Sequence, residues 1–267
     1  MTSLLKRLGL VQSASRRVNR RRGTTPRWEP LESRRLMTAD ALPVLMVIAD
    51  TQDFYYREYN ETRIGIEQRG VAVQVAARTT HPSTPHGGTG QGPDGGIVTP
   101  DLRLDQVDVD DYSAIVFVGG WGSSMYQYAF PGDYQNDHYD GDLATRTVVN
   151  DLINEFVAQD KYVTAICHGV TVLAWARVDG VSPLAGKQVS VPFIGSPAVL
   201  YQGVWYGNYQ LGQQPQAAAN GAITNMVSGQ YGLANTVTDD VVVDGRIITA
   251  ENYDAEINTR FRPASWV

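Results

Sequence analysis

Short apolar runs recur along the chain, at residues 44–49, 71–76, 114–118 and 162–166. Runs of this length that are rich in Val, Ile and Ala predict strands buried on both faces of a sheet. Residues 56–69 predict a helix that ends at Gly70, and residues 144–159 predict an amphipathic helix. Residues 240–249 predict a hairpin around an Asp-Gly turn. Strands alternating with helices indicate an α/β fold with a mostly parallel sheet covered on both faces.

Three segments interrupt this pattern. Residues 81–100 are rich in Gly and Pro and predict a loop. Residues 126–142 are aromatic and acidic, and could form a lid that carries His138 and Tyr139 over a site. Residues 197–232 are rich in Gly, Gln and Tyr.

The predicted strand at 162–166 ends in Cys167, which His168 and a helix-like run follow directly. A strand, a sharp turn and a helix in this order are typical of a nucleophile elbow, the turn that projects a reactive side chain from a sheet edge. The start of a helix favours a thiolate, because its free N–H groups carry partial positive charge. The alternative is a buried structural cysteine.

Composition limits the classes of protein. The chain has 267 residues, 43% of them hydrophobic, and one cysteine, which excludes an internal disulfide and argues against a cysteine zinc site. No apolar run approaches the roughly 20 residues of a membrane span. Residues 1–39 carry a net charge of +8 and the remainder −14, for a total of −6. The acidic body argues against a nucleic-acid partner.

The basic N-terminal segment, residues 1–40, lacks the apolar stretch of an ordinary secretory signal. Its Glu29-Pro30-Leu31-Glu32 followed by Arg34-Arg35-Leu36 resembles the N-terminal sorting signal of planctomycete bacteria. The resemblance implies export to the periplasm or cell surface. We expect the segment to be disordered and to contribute nothing to folding.

Three motifs together resemble the DJ-1/PfpI family, over residues 43 to 251. They are Glu58 placed twelve positions before Gly70, the apolar strand ending in Gly119-Gly120, and residues 165–169 around Cys167. The hairpin at 240–249 also matches. We therefore predict a flavodoxin-like three-layer α/β sandwich with a mostly parallel sheet, a cysteine nucleophile elbow, and one such domain over residues 41–267. Family members often carry a His about 24 residues after the cysteine, where this chain has Val191. The segment at 197–232 is longer than the family usually has and is interpreted as an insertion.

Chemistry suggests a role for each matched residue. Cys167 is the candidate nucleophile, and a protonated Glu58 could donate to its thiolate. The Gly119-Gly120 peptide and the His168 backbone N–H could form an oxyanion hole. The His168 imidazole could act as a general base or acid, or lend only its amide. No histidine lies beyond position 168, which excludes class I glutamine amidotransferases and α/β-hydrolases, because both place a histidine after the nucleophile.

Two functions of different classes remain open. One is a cysteine-dependent hydrolase or lyase acting on a carbonyl or amide, with the peptidase, amidase, glyoxalase and deglycase activities that the resemblance implies. The other is a non-catalytic redox-sensing or binding module built on Cys167. Neither function needs a cofactor or a metal. Asp137, Asp140 and Asp142 are candidate calcium ligands by residue type, but their spacing fits no EF-hand loop. The expected partners are a small-molecule or peptide substrate and, as the resemblance implies, a second copy of the chain in a homodimer.

Overall fold

A computed structural model describes residues 41–87, 95–192, 195–224 and 241–252. The predicted sorting segment at 1–40 lies outside these residues, as do residues 225–232 of the predicted insertion.

The described residues form helices and strands in the alternation that the sequence predicts. The helices are α1 (Tyr56–Glu67), α2 (Leu143–Ala158), α3 (Gly169–Trp175) and α4 (Gln213–Ala219). The strands are β1 (Val44–Val47), β2 (Gln52–Phe54), β3 (Val73–Ala77), β4 (Thr84–Pro85), β5 (Leu102–Arg103), β6 (Ala114–Phe117), β7 (Asp133–Tyr134), β8 (Tyr162–Ile166), β9 (Gln188–Val189), β10 (Val199–Tyr201), β11 (Val204–Tyr206), β12 (Ile223–Thr224), β13 (Val241–Asp244) and β14 (Ile247–Ala250).

Seven strands form the central sheet, in the order β13-β14-β8-β6-β1-β3-β5. Every neighbouring pair is parallel except the terminal hairpin of β13 and β14. The chain passes from β1 to β3 on one side and returns to β6 on the other. Ligands bind parallel sheets of this kind at the carboxyl ends of the strands, where the strand order reverses. The reversal lies between β1 and β6, close to the carboxyl ends of β6 and β8, which Gly119-Gly120 and Cys167-His168 follow.

Successive side chains of β1 point to opposite faces of the sheet and enter different cores. Leu45 and Val47 belong to the core that contains the apolar face of α2 and nearly all of α3. Val44 and Met46 belong to the core beneath α1. The chain therefore forms the predicted three-layer α/β sandwich, and the fold class is confirmed.

The predicted elements are present, with ends that differ by a few residues. The strand at 162–166 has the predicted bounds, whereas the strand predicted at 71–76 begins at Val73. The Val44 N–H donates to the Ala72 carbonyl at 2.9 Å, so Ala72 still contacts the neighbouring strand. The segment predicted as a loop at 81–100 contains the short strand β4, which pairs with β2.

The acidic segment at 126–142 and the insertion meet in a second sheet, of order β11-β10-β7. The ring of Phe130 stacks on Tyr201 of the insertion, with centroids 5.6 Å apart, and meets Trp175 of α3 edge to face at 5.1 Å. These aromatic contacts attach the insertion to the helix that follows Cys167. Within the described residues, no helix combines the length and the apolar character that crossing a membrane would require.

Candidate active site

Cys167 occupies a strained turn between β8 and α3. Its φ is +51°, a left-handed conformation that residues other than glycine adopt rarely. The turn is fixed on one side by the Cys167 N–H, which donates to the Ala250 carbonyl at 2.8 Å. On the other side Gly169 lies against the Phe117 carbonyl oxygen, where a Cβ would not fit. Strain held by surrounding structure in this way is common at functional sites.

Glu58 lies in the first turn of α1 and is completely buried. Burial raises the pKa of Glu58 to about 8, and the nearby Cys167 side chain and Gly119 backbone lower it only in part. Neither carboxyl oxygen has a hydrogen-bond partner of good geometry among the described residues. The acid is therefore protonated at neutral pH and faces the thiol as a potential proton donor.

Gly119 is the point at which acid and thiol converge. A Cβ on this residue would collide with a carboxyl oxygen of Glu58 and would lie 2.8 Å from the Cβ of Cys167. Such distances are far below van der Waals contact. Glycine is therefore required here for the strand end, the acid and the nucleophile to approach one another.

Gly120 serves a different purpose, because it has a φ of +98° and a ψ of 149°. This region of backbone conformation is essentially confined to glycine. A Cβ on Gly120 would lie 2.6 Å from the nitrogen of Tyr55 and would collide with the carbonyl oxygen of Asp53. The Gly119 carbonyl accepts the Tyr55 N–H at 2.9 Å, which joins the end of β6 to the start of α1.

A family model confirms what these three positions suggest. The model of the DJ-1/PfpI family matches residues 43–186, which contain Glu58, Gly119-Gly120 and Cys167. The chain belongs to the DJ-1/PfpI family.

Individual relatives within the family are distant. An uncharacterized protein of Methanocaldococcus jannaschii is 34% identical to this chain over 148 residues. The aligned region covers 55% of this chain and 58% of the relative's length. The crystal structure of a ThiJ/PfpI domain protein from Brachyspira murdochii matches with a TM-score of 0.55 and 20% identity, covering 82% of this chain and 94% of that one. The crystal structure of glyoxalase III from Candida albicans matches with a TM-score of 0.56 and 14% identity, covering 82% of this chain and 95% of that one. These two structural likenesses establish the fold.

The His168 imidazole of this DJ-1/PfpI protein is buried behind the turn. Its Nε2 is 2.7 Å from the Oγ of Ser124, and both residues are fully buried. Burial lowers the pKa of His168 to about 3, although the nearby Gly195 backbone opposes the shift. The imidazole is therefore neutral at physiological pH, and its placement favours the alternative in which His168 contributes its backbone amide.

Ser124 is the partner that holds this imidazole. We expect Ser124→Ala to lose about 1 to 3 kcal/mol of unfolding free energy, because it leaves a buried ring nitrogen without a partner. Urea denaturation measures this loss. The pH profile of Cys167 alkylation should stay unchanged; a shift in that profile would show instead that the imidazole acts on the thiol.

The insertion contributes a site residue that the sequence analysis missed. The Nε2 of Gln213, the first residue of α4, lies 4.0 Å from the Sγ of Cys167. Val191, at the position where family members often carry a His, is buried. Forty-six positions separate Gln213 from Cys167, and no pattern of spacing or polarity pointed to it.

His138 and Tyr139, the two residues of the predicted lid, bind the loop that follows β1. The Nε2 of His138 is 2.9 Å from the Asp50 carbonyl oxygen and 3.1 Å from the Oγ1 of Thr51. The Tyr139 hydroxyl donates to one carboxylate oxygen of Asp53, whose other oxygen lies 2.7 Å from the Nδ1 of His86. Both residues are thus tied to the region between β1 and α1, and their covering of the thiol stays a prediction.

Two of the acidic residues in this segment have structural partners. Asp142 caps α2 by accepting the Thr145 N–H at 2.7 Å, and Asp140 accepts the Tyr134 N–H at 3.0 Å. Across the described ranges, no group of three or more His, Cys, Asp and Glu side chains is arranged to hold a metal ion.

Proposed function

We propose that this protein is a cysteine-dependent hydrolase or lyase that acts on a small carbonyl or amide compound. The observation that carries the proposal is the pairing of Cys167, on its strained turn, with a buried carboxyl whose pKa is raised to about 8. A protonated acid beside a thiol supplies a nucleophile and a proton donor without a cofactor.

The first step follows from these two groups. The Cys167 thiol releases its proton to solvent, and the thiolate attacks the carbonyl carbon. A carbon–sulfur bond forms while the carbonyl π bond breaks, which leaves the charge on oxygen. Glu58 then donates its proton to that oxygen and becomes a carboxylate, which can take a proton back as the adduct breaks down. For an amide, the nitrogen takes a proton from solvent and leaves as the amine, while the adduct's hydroxyl returns its proton to the Glu58 carboxylate. Water then hydrolyses the resulting thioester to a carboxylic acid and the free Cys167 thiol.

The backbone N–H groups of Gly120 and His168 support the same step. Both flank the convergence of Gly119 with Cys167, where the new oxyanion would form. Fixed backbone donors stabilise such an oxyanion without having to reorganise. The rigid, glycine-only conformation at Gly120 would hold its N–H in one direction.

The accessibility of the thiol favours small substrates. Cys167 is only 5% exposed, and its neighbour Gln213 is equally enclosed. An extended peptide would need this site to open widely, whereas a small aldehyde or amide would not. We therefore place reactive small carbonyl compounds ahead of peptides as substrates.

Replacement of the nucleophile tests the proposal. We expect Cys167→Ala to reduce turnover of methylglyoxal, or of a small amide substrate, at least a hundredfold, because no thioadduct can form. Product formation under steady-state conditions measures this, and circular dichroism checks that the variant is folded. Turnover that survives the substitution would show that the thiol is not the nucleophile.

A redox-sensing role is the second candidate, and the same acid–thiol pair supports it. A protonated Glu58 could hydrogen-bond to an oxidised sulfur as well as to a thiolate. No turnover of either substrate class, together with ready gain of two oxygen atoms at Cys167 under dilute peroxide, would favour this role over catalysis.

Export and self-association are further proposals that rest on the sequence. The basic segment at 1–40, with its resemblance to a sorting signal, supports delivery to the periplasm or cell surface. The resemblance to the DJ-1/PfpI family supports a homodimer.

A further inference from the structure

The amide of Gln213 is enclosed in the protein together with the thiol. Its side chain is 2% exposed, and its Nε2, like the Glu58 carboxyl, is a polar group that approaches Cys167. A distance of 4.0 Å is long for a hydrogen bond to a neutral thiol. A charged sulfur or a nearby oxyanion would bind this donor more strongly.

The other end of the amide has no partner among the described residues. The Oε1 of Gln213 is buried and makes no hydrogen bond to any residue that the structure describes. Leaving a buried acceptor unsatisfied costs roughly 1 to 3 kcal/mol, and native proteins rarely bear such a cost without a reason. A ligand with a hydrogen-bond donor would satisfy this oxygen.

The position of Gln213 is built by its surroundings. Helix α4 packs on α3, where the Oε1 of Gln216 accepts the Trp175 indole N–H at 3.0 Å. Gly195, with a φ of +119°, faces the Gln213 amide, and a Cβ there would lie 3.1 Å from the Nε2. A glycine therefore leaves room for the amide beside the thiol.

We propose that Gln213 is a catalytic and specificity-determining residue that selects carbonyl substrates bearing a hydroxyl or N–H group on the carbon next to the carbonyl. Its Nε2 donates to the sulfur or to the oxyanion formed at the attacked carbon. Its Oε1 accepts the hydrogen bond from the substrate's neighbouring donor. This inference rests on the proposed function, because it assigns the substrate class of the same site.

The test uses two aldehydes of similar size that differ in one group. Glycolaldehyde carries the required hydroxyl, and propionaldehyde replaces it with a methyl group. Each is measured by its protection of Cys167 from iodoacetamide, which reports formation of the thioadduct without requiring turnover. We expect glycolaldehyde to protect the natural protein at about tenfold lower concentration, the factor that one buried hydrogen bond is worth.

Variants of Gln213 separate the roles of its two atoms. In Gln213→Leu, or in Gln213→Met if the first variant folds poorly, the preference for glycolaldehyde should fall to within about twofold, because the acceptor is lost. Gln213→Glu keeps an acceptor in either protonation state. It should therefore retain the preference, and once it is ionised it should slow the alkylation of Cys167, since a negative charge beside the thiol disfavours the thiolate.

Gln216→Leu is the matched control. Gln216 lies on the same helix and is also 2% exposed, and its Nε2 likewise has no partner among the described residues, but its Oε1 binds Trp175. This variant should lose stability and keep the aldehyde preference. An unchanged preference in Gln213→Leu, or no preference in the natural protein, would overturn the inference. A Gln213-dependent preference without turnover would instead contradict the proposed function alone.

Discussion

Glu58→Gln will become progressively more stable than the natural protein as the pH rises from 5 to 8. The folded protein holds the Glu58 proton with a pKa of about 8, whereas an unfolded chain releases it near 4.5. The folded state binds more protons than the unfolded state across this window. The stabilisation that comes from the Glu58 proton is therefore fully present below the unfolded pKa and is lost as the pH rises through the folded pKa. The accumulated loss is on the order of 4 kcal/mol. Glutamine resembles the protonated acid and has no such loss.

Urea denaturation at several pH values measures this difference. The slope of the stability difference, and not its value at one pH, is the diagnostic, because glutamine also changes the local hydrogen bonds. The lowered pKa of His168 affects stability between about pH 3 and 6.5 in both proteins and cancels in the comparison. Glu67→Gln, which removes an exposed carboxyl from the same helix, is the control for the loss of one acidic group. Parallel profiles for Glu58→Gln and the natural protein would mean that Glu58 is ionised in the fold.

We expect Gly120→Ala to disrupt the local structure of the site and to lower the free energy of unfolding by about 4 kcal/mol. The substitution combines a strained backbone conformation, worth roughly 1 to 3 kcal/mol, with overpacking of similar size. The overpacking is severe because the added Cβ meets backbone atoms of Asp53, Phe54 and Tyr55, which cannot rotate away. For a domain of ordinary stability this is a large share of the total.

Gly180→Ala is the control that separates the cost of backbone strain from the cost of the steric clash. Gly180 has a φ of +82°, and a Cβ there would meet nothing within 4 Å. This control should therefore cost only the backbone strain, about 1 to 2 kcal/mol. Urea denaturation of the two variants tests the comparison. Equal losses in the two would show that the loop at 53–55 yields to the extra atom.

The sequence predicted the part of the site that depends on local pattern. The apolar run into Cys167, the glycine after it and the Gly-Gly after β6 are each read within a few residues, and the fold then brings them together at one sheet edge. Their resemblance to a family added Glu58, which would otherwise pass as an ordinary helical acid.

Contacts between residues that are far apart in the chain could not be predicted from these local patterns. The bond from His168 to Ser124 spans 44 positions and the contact of Gln213 with Cys167 spans 46. Neither pair shares a periodic pattern, so only the packed structure reveals them. The direction of the His168 ring also depends on φ and ψ at the turn, which residue types alone do not determine. The strand β7 was missed because its two residues are stabilised by pairing with the distant β10.

That second sheet makes the insertion and the 126–142 segment a single unit for protein engineering. A shortened version of this protein that lacked β10 and β11 would leave the β7 edge unpaired and would expose the stacked face of Phe130 beside Trp175. Sequence changes that lengthen or shorten one segment therefore require matching changes in the other. A minimal version of this domain would have to be designed by replacing both segments together.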